Sequence, residues 1–168
     1  MKHMEGDLLE LAREGHFNYI VHGCNCFCTM GKGIARQIKK EFPAAYAADC
    51  LTFYGDRSKL GTYSIMYGPI TIVNAYTQYD FAKGYDGKGD YFEYEAFQKV
   101  LDRLVKDHGH RDFGFPYIGM GLAGGDKNRI LDMLQGFAEA VKAKGGSVTL
   151  VKYPMNRILR SEPNAEVQ

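Results

Sequence analysis

The stretch Met30-Gly31-Lys32-Gly33-Ile34-Ala35 places two glycines between an apolar segment and an amphipathic one. The apolar segment, Tyr19-Ile20-Val21-His22, predicts a buried strand, and a helix follows because Ile34, Ile38 and Phe42 fall on one helical face. The glycines then lie at the helix entrance, where unpaired N–H groups and the helix dipole attract anions. Two glycines between a strand and a helix are also ordinary turn residues. Taken alone, the loop allows both a phosphate site and a plain turn.

The spacing of these glycines differs from both common nucleotide motifs. A P-loop needs Gly-x-x-x-x-Gly-Lys-Ser/Thr, whereas Lys32 is followed by Gly33. A dinucleotide fingerprint needs a third glycine where Arg36 stands. The sequence therefore supports neither a P-loop ATPase nor an NAD enzyme of the usual kind.

The size and charge of the chain restrict its class. It has 168 residues, 45% of them hydrophobic, with a formal net charge of +1. This length predicts one domain over residues 1–160, followed by a polar tail at 161–168. A nearly neutral chain has no overall field for nucleic acid or membrane, so we expect no sequence-specific nucleic acid binding and no membrane partner. No apolar run is long enough to span a bilayer and the start lacks a signal-peptide core, so we expect a cytoplasmic protein.

Three cysteines alternate near the first loop, namely Cys24, Cys26 and Cys28, and Cys50 follows one helix later. Alternation on an extended segment puts side chains on one side, which suits a soft metal. Structural zinc sites generally use Cys-x-x-Cys pairs, however. The pattern therefore favours free, buried thiols, and we predict no metal ligand, no disulfide and no cofactor.

Helical and extended patterns alternate along the rest of the chain. After a lead-in, Asp7 is placed to cap a first helix, with Glu10 completing a capping box. We predict further helices at 44–51, 92–105 and 128–144, strands at 63–67, 70–76, 113–118 and 147–153, and a long surface loop at 78–90. The strands at 63–67 and 70–76 form a hairpin. Strands alternating with helices predict a three-layer α/β/α sandwich with a central mixed sheet.

A second glycine-rich loop, Gly119-Met120-Gly121-Leu122-Ala123-Gly124-Gly125-Asp126, again follows a strand and precedes a helix. In open α/β sheets, ligands bind beyond the carboxyl ends of the strands. We therefore expect the two loops to converge on one diphosphate.

Four motifs in this order resemble the macrodomain family, the ADP-ribose-binding fold, over nearly the whole chain. They are Gly6-Asp7-Leu8-Leu9, Ile20-Val21-His22-Gly23-Cys24-Asn25, the loop at 30–35 and the loop at 119–126. The first loop is similar to the version found in the branch that contains the ADP-ribose 1″-phosphate phosphatases and the hydrolases that remove ADP-ribose from DNA or glutamate.

The resemblance implies a set of ligand-binding residues. Asp7 would accept a hydrogen bond from the adenine amino group, Leu8 would supply a backbone N–H, and Asn25 would order the distal ribose or a water. The others are Gly31, Lys32, Gly33 and Ile34 around one phosphate, Gly119, Gly121, Leu122, Ala123 and Gly124 on the diphosphate, and Tyr153 and Asn156 near adenine. Asp7 is equally an N-cap, Asn25 a turn residue and Tyr153 a candidate for core packing.

The sequence departs from the family at positions that matter for chemistry. The hydrolases of this branch resemble one another in a Thr-Lys pair where this chain has Thr77-Gln78, and an amide cannot replace a nucleophilic or basic lysine. Lys83, which lies close by on the predicted loop, is an alternative lysine for this role. The subclass with three consecutive glycines is not matched either, because Lys32 interrupts them. Removal of ADP-ribose from protein or DNA is thereby disfavoured.

Phosphomonoester hydrolysis asks for less: a positioned water, donors for the transferred group and a side chain to activate the nucleophile. The candidates are His22, Asn25, Lys32 and Asp126, although His22 also fits a core imidazole and Asp126 a helix cap. The leading hypothesis is hydrolysis of ADP-ribose 1″-phosphate. The alternatives are a non-catalytic reader of ADP-ribose and a hydrolase acting on ADP-ribosylated protein, nucleic acid or O-acetyl-ADP-ribose.

Overall fold

Strands and helices alternate along the chain, as the sequence pattern predicts. The computed structural model describes residues 1–81, 91–121 and 123–154. In these residues the strands are β1 (Lys2–Glu5), β2 (Tyr19–Cys24), β3 (Tyr63–Met66), β4 (Thr71–Tyr76), β5 (Asp112–Phe115) and β6 (Ser147–Lys152). The helices are α1 (Leu8–Arg13), α2 (Gly33–Glu41), α3 (Pro43–Cys50), α4 (Tyr94–His108) and α5 (Lys127–Ala143), with a single 3-10 turn at Arg57–Lys59.

The strands form one mixed sheet in the order β1-β6-β5-β2-β4-β3. All neighbouring pairs are parallel except β3 and β4, which form the predicted antiparallel hairpin. The carboxyl ends of the five parallel strands therefore lie along one edge of the sheet. That edge carries both glycine-rich loops, because the first follows β2 and the second follows β5.

Helices cover both faces of the sheet. Alternate residues of the central strands point to opposite faces, so Ile20 and Ile72 pack with α1, α2 and α3, while Val21 and Val73 pack with α4 and α5. All four of these side chains are fully buried. The chain thus forms the predicted three-layer α/β/α sandwich around a mixed sheet.

Three elements differ from the sequence prediction by more than one residue. The lead-in is strand β1, which pairs in parallel with β6. Strand β5 ends at Phe115 because Pro116 has no N–H for a sheet hydrogen bond, and 116–118 form a turn. Helix α4 begins at Tyr94, since Phe92 forms an isolated antiparallel bridge with Gln78.

Several predicted features lie outside the described residues. They are the loop segment 82–90 with Lys83, the residues Leu122 and Asn156, and the polar tail at 161–168. Among the residues that are described, none of the helices combines the length and the apolar character needed to cross a membrane.

Candidate functional site

A cavity of about 320 Å³ lies beyond the carboxyl ends of β2 and β4. Four residues predicted from the sequence border it: Asn25, Gly31 and Lys32 near the first loop, and Ala123 of the second loop. Residues from both glycine-rich loops therefore meet at one cavity, although they are about 90 positions apart in the chain.

The amino end of α2 lies beside this cavity without a side-chain cap. Lys32 occupies the N-cap position, and no described side chain accepts a hydrogen bond from the first turn. Helix α1, by contrast, is capped by Asp7. Gly33 has φ +57, a left-handed conformation that favours glycine. The first-turn N–H groups and the positive helix end are therefore available to an anion.

Asn25 shapes the first loop as well as lining the cavity. Its Nδ2 donates to Thr29 Oγ1 over 2.7 Å, and its Oδ1 accepts the backbone N–H of Phe27 over 2.8 Å. The side chain thus acts as a turn residue, and Asn25 also lines the cavity. The amide keeps further donor and acceptor capacity beyond these two bonds.

Backbone hydrogen bonds hold the second loop, both within the loop and to the residues before α4. The N–H of Gly125 donates to the carbonyl of Gly119 over 2.7 Å, and the carbonyl of Ala123 accepts the N–H groups of Tyr91 and Phe92. Gly119 has φ +75, and a Cβ at this position would lie 2.4 Å from the Phe92 ring. Only glycine fits there, which fixes the path of the loop along the cavity.

The residues expected to contact adenine lie at the other end of the sheet edge. Strands β1 and β6 are neighbours, and the N–H of Gly6 donates to the carbonyl of Lys152 over 3.0 Å. Asp7 follows β1 and Tyr153 follows β6, so the two residues lie at adjacent strand ends. Tyr153 is 38% exposed, so its aromatic ring is not a core residue. Neither residue borders the cavity.

The strand order places these groups in a row. Asp7 and Tyr153 follow β1 and β6, the loop at 119–126 follows β5, and the cavity lies at β2 and β4. Adjacent strands are ~4.8 Å apart, so the four intervals from β1 to β4 span about 19 Å. The row suits an elongated ligand with an anionic centre.

Comparison with known proteins identifies this architecture. The model of the Macro domain family matches residues 21–134. The chain belongs to the macrodomain family. It is 33% identical, over 158 residues, to the uncharacterized 17.5 kDa protein in the tk-vs intergenic region of Enterobacteria phage T4, covering 86% of this chain and 91% of that protein.

Two solved structures have the same fold as this macrodomain. The macrodomain of Thermus aquaticus DarG superposes with a TM-score of 0.66 at 24% identity, covering 91% of this chain and 97% of that one. The Trypanosoma brucei macrodomain in complex with ADP-ribose gives a TM-score of 0.62 at 17% identity, covering 98% of this chain and 68% of that one. At these identities the likeness shows the fold.

Two of the predicted catalytic residues of this macrodomain lie away from the cavity lining. His22 is fully buried, and its imidazole is hydrogen-bonded to Asn74 over 2.7 Å. Burial lowers the pKa of His22 to about 4, so the ring is neutral near pH 7. Asp126 is exposed and caps α5, its Oδ1 accepting the N–H of Arg129 over 2.8 Å. Of the four predicted catalytic residues, Asn25 and Lys32 line the cavity, whereas His22 and Asp126 do not.

The other predicted ligand residues of the first loop and of α1 hold neighbouring positions. Gly33 and Ile34 open α2, directly after the cavity-lining Lys32. Leu8 is buried in the first turn of α1, next to its cap Asp7. Gly121 and Gly124 lie in the second loop on either side of Ala123, and the N–H of Gly124 donates to the carbonyl of Gly121.

The four cysteines of this macrodomain are free thiols in the structure. Cys24 and Cys26 are buried, Cys28 is half-buried and Cys50 is exposed. Burial raises the pKa of Cys26 to about 11 and that of Cys24 well above its ordinary value. Both buried thiols are therefore protonated and weakly nucleophilic near neutral pH.

Sequence reasoning missed several residues that border the cavity, of which Asp49 is the most informative. Asp49 is only 1% exposed, and its Oδ1 accepts a hydrogen bond from the Tyr76 hydroxyl over 2.6 Å. Asp49 follows Ala45 by four positions and shares its face of α3, but it is the structure that shows this face to be buried. The other lining residues that were not predicted are Gly23, Cys24, Thr29, Met30, Ala35 and Phe81. Gln78, which the sequence analysis places where related hydrolases have a lysine, also borders the cavity.

Proposed function

We propose that this macrodomain binds ADP-ribose along the row of strand ends and hydrolyses ADP-ribose 1″-phosphate to ADP-ribose and phosphate. Adenine binds at Asp7 and Tyr153, the diphosphate lies between the two glycine-rich loops, and the distal ribose enters the cavity beside Asn25. The terminal phosphate then lies in the same cavity as Lys32.

The observation that carries this proposal is the amino end of α2 at the cavity, which none of the described side chains caps. Its first-turn N–H groups need partners, and the oxygens of a diphosphate or of a terminal phosphate supply them. Lys32 adds a positive charge at the same place. An overall charge of only +1 leaves such local groups as the source of anion affinity.

The relatives support the choice of nucleotide. The Trypanosoma brucei macrodomain, which has this fold, is in complex with ADP-ribose. ADP-ribose has an adenine at one end, a diphosphate in the middle and a ribose at the other end. Those three parts follow the order of the chemical groups along the sheet edge.

Phosphate hydrolysis agrees with the residue that this chain has at position 78. Gln78 borders the cavity, and its Nε2 donates to the carbonyl of Asp80 over 2.7 Å. An amide at this position neither attacks a sugar carbon nor takes a proton near neutral pH. Attack of water on a phosphomonoester needs no such lysine, because positioning and charge stabilisation supply most of the catalysis.

Calorimetry and a phosphate assay test the proposal in two stages. Titration of the protein with AMP, ADP and ADP-ribose gives increasing affinity, since each ligand occupies one more part of the row. Incubation with ADP-ribose 1″-phosphate then releases inorganic phosphate. If ADP-ribose binds but no phosphate is released, the protein is a non-catalytic reader. If it instead releases ADP-ribose from modified protein, nucleic acid or O-acetyl-ADP-ribose, it is an ADP-ribosyl hydrolase. Absence of heat with all three nucleotides overturns the binding proposal itself.

A further inference from the structure

One of the residues that line the cavity is a buried aspartate. Asp49, on α3, borders the same cavity as Asn25 and Lys32. Among the described residues that line the cavity, Asp49 is the one carboxylate. It is also 99% buried, a position that an aspartate occupies only when it has a defined partner.

Tyr76 is that partner and fixes the orientation of the carboxyl group. The Tyr76 hydroxyl donates to Asp49 Oδ1 over 2.6 Å and lies 2.8 Å from Ser64 Oγ. The backbone carbonyl of Asp49 accepts the Thr52 hydroxyl over 2.6 Å, which fixes the end of α3 as well. A carboxylate has about four lone-pair positions, so Asp49 can accept a water proton while it keeps the bond to Tyr76.

The charge on Asp49 is not neutralised by a direct ion pair among the described residues. The buried Lys59 lies near, but its Nζ donates to the carbonyl of Cys26 over 3.1 Å and to Cys28 Sγ over 3.8 Å. Burial raises the pKa of Asp49 above its ordinary value, and the Tyr76 hydrogen bond and the Lys59 charge oppose this effect. A carboxylate in such a setting is a stronger base than one in water.

We propose that Asp49 is the general base that activates water for hydrolysis of ADP-ribose 1″-phosphate in this cavity. This assignment rests on the function proposed above. The water oxygen forms a bond to phosphorus as Asp49 takes its proton. The bond from phosphorus to the ribosyl oxygen breaks, and its electron pair stays on that oxygen, which takes a proton from solvent. The products are ADP-ribose and inorganic phosphate.

Other polar side chains are less suited to this role. Gln78 has no basic group, and the Asn25 amide is held by Thr29 and Phe27. Asp126 is exposed at the start of α5 and does not border the cavity. Asp49 combines an ionisable side chain with a position in the cavity lining, and general-base catalysis requires both.

Replacement Asp49→Asn gives the first test. Asparagine has nearly the same shape and can still accept the Tyr76 hydroxyl, but it cannot take a proton from water. We expect kcat for phosphate release to fall by at least about 100-fold, the usual contribution of a general base. The Kd for ADP-ribose, from calorimetry, changes by less than about threefold because only the chemical step is affected.

Replacement Tyr76→Phe gives an independent test through pH dependence. The Tyr76 hydrogen bond lowers the pKa of Asp49, so its loss raises that pKa. The acid limb of the kcat profile then moves to higher pH, because the base stays protonated further up the scale. Tyr63→Phe is the matched control. Tyr63 lies on β3, the strand next to that of Tyr76, and does not line the cavity. The substitution removes a tyrosine hydrogen bond of 2.7 Å to Asp107 on α4. Its profile should match that of the wild type.

The outcomes separate this assignment from the function on which it rests. If the wild type releases no phosphate, both fail, whether or not ADP-ribose binds. If the wild type is active while Asp49→Asn keeps its rate, or Tyr76→Phe leaves the acid limb in place, Asp49 is not the base and the phosphatase proposal stands. Equal losses of rate and ADP-ribose affinity in Asp49→Asn mark a structural role and also overturn the assignment.

Discussion

His22 on β2 and Asn74 on β4 are register neighbours, and His22 Nε2 lies 2.7 Å from Asn74 Oδ1 inside the sheet. The Asn74 amide is itself oriented, because its Nδ2 donates to the carbonyl of Ala45 and to Ser64 Oγ, both over 3.0 Å. Its oxygen can therefore only accept, so His22 carries its proton on Nε2. The ring is neutral in the folded state because burial lowers the pKa of His22, an effect that the hydrogen bond to Asn74 opposes.

The burial of His22 predicts a loss of stability in mild acid. The folded pKa of His22 is about 4, below the ordinary value of 6.5, so the unfolded chain binds the proton first as pH falls. At pH values above the unfolded pKa, His22 does not make stability depend on pH. As the pH falls from the unfolded to the folded pKa, the free energy of unfolding decreases by about 3 kcal/mol in total. Urea titrations at several pH values between these limits measure the slope.

His22→Gln removes this titration and keeps a side chain that can donate to Asn74. We expect the variant to lose most of the wild-type slope between pH 4 and 6.5, the range set by the folded and ordinary pKa values of His22. His108→Gln serves as the comparison. Burial also lowers the pKa of His108, but this position is only half-buried, so we expect a smaller loss of slope than in His22→Gln. An unchanged slope in His22→Gln shows that His22 is protonated in the folded state as easily as in water.

The second loop gives a prediction about backbone strain. Gly119→Ala introduces a Cβ 2.4 Å from the Phe92 ring at a φ of +75. Left-handed strain and overpacking together cost about 2 kcal/mol or more. We expect a lower melting temperature and a weaker affinity for ADP-ribose, measured by thermal unfolding and calorimetry.

Gly136→Ala is the control for this substitution. Gly136 is exposed inside α5, and an added Cβ meets no atom within 4 Å. Alanine there stabilises the helix by about 0.5–1 kcal/mol, so the melting temperature rises and ADP-ribose affinity stays the same. If Gly119→Ala behaves like Gly136→Ala, the path of the second loop does not depend on glycine.

Local signals in the sequence explain which parts of the fold could be predicted. Strand β2, the first loop and α2 follow from apolar periodicity and paired glycines, which act over a few residues. Strand β1 has no such signal: Lys2–Glu5 is a mainly exposed edge strand, stabilised by pairing with β6 far along the chain. Strand order depends on such distant contacts, and no local pattern encodes it.

Only those site residues that belong to a local sequence signal could be predicted. Asn25 and Lys32 belong to the loop whose chemistry is visible in the sequence, and both border the cavity. Asp49 lies in a helix, where a single aspartate is usually a surface residue. Its place at the cavity depends on how α3 packs beside β4 and on the hydroxyl of Tyr76, so tertiary structure is needed to find it.

Lys32 provides a prediction about charge. It is exposed beside the cavity, at the N-cap of α2. Lys32→Ala removes one positive charge from the proposed phosphate site, so we expect ADP-ribose to bind about three- to tenfold more weakly, with a smaller dependence on salt. Lys40→Ala, an exposed change at the other end of the same helix, should bind as the wild type does. Equal effects of the two variants exclude a local role for Lys32.

Asp7 provides a prediction that separates a helix cap from a ligand contact. Its Oδ1 accepts the N–H groups of Leu9 and Glu10, both over 3.0 Å, and its Oδ2 accepts Gln37 Nε2 over 3.2 Å. Asparagine caps helices as well as aspartate does, whereas alanine costs about 1 kcal/mol. Asp7→Asn keeps the cap and loses only the acceptor for Gln37 Nε2, so it lowers the melting temperature less than Asp7→Ala does.

Both Asp7 variants should bind ADP-ribose more weakly, because neither offers a carboxylate to the adenine amino group. Inosine diphosphate ribose, which has a carbonyl in place of that amino group, gives the sharper readout. The wild type should prefer ADP-ribose, and Asp7→Asn should narrow the preference since its amide can donate to the carbonyl. A preference that is the same in the wild type and in Asp7→Asn shows that Asp7 caps α1 without reading the base.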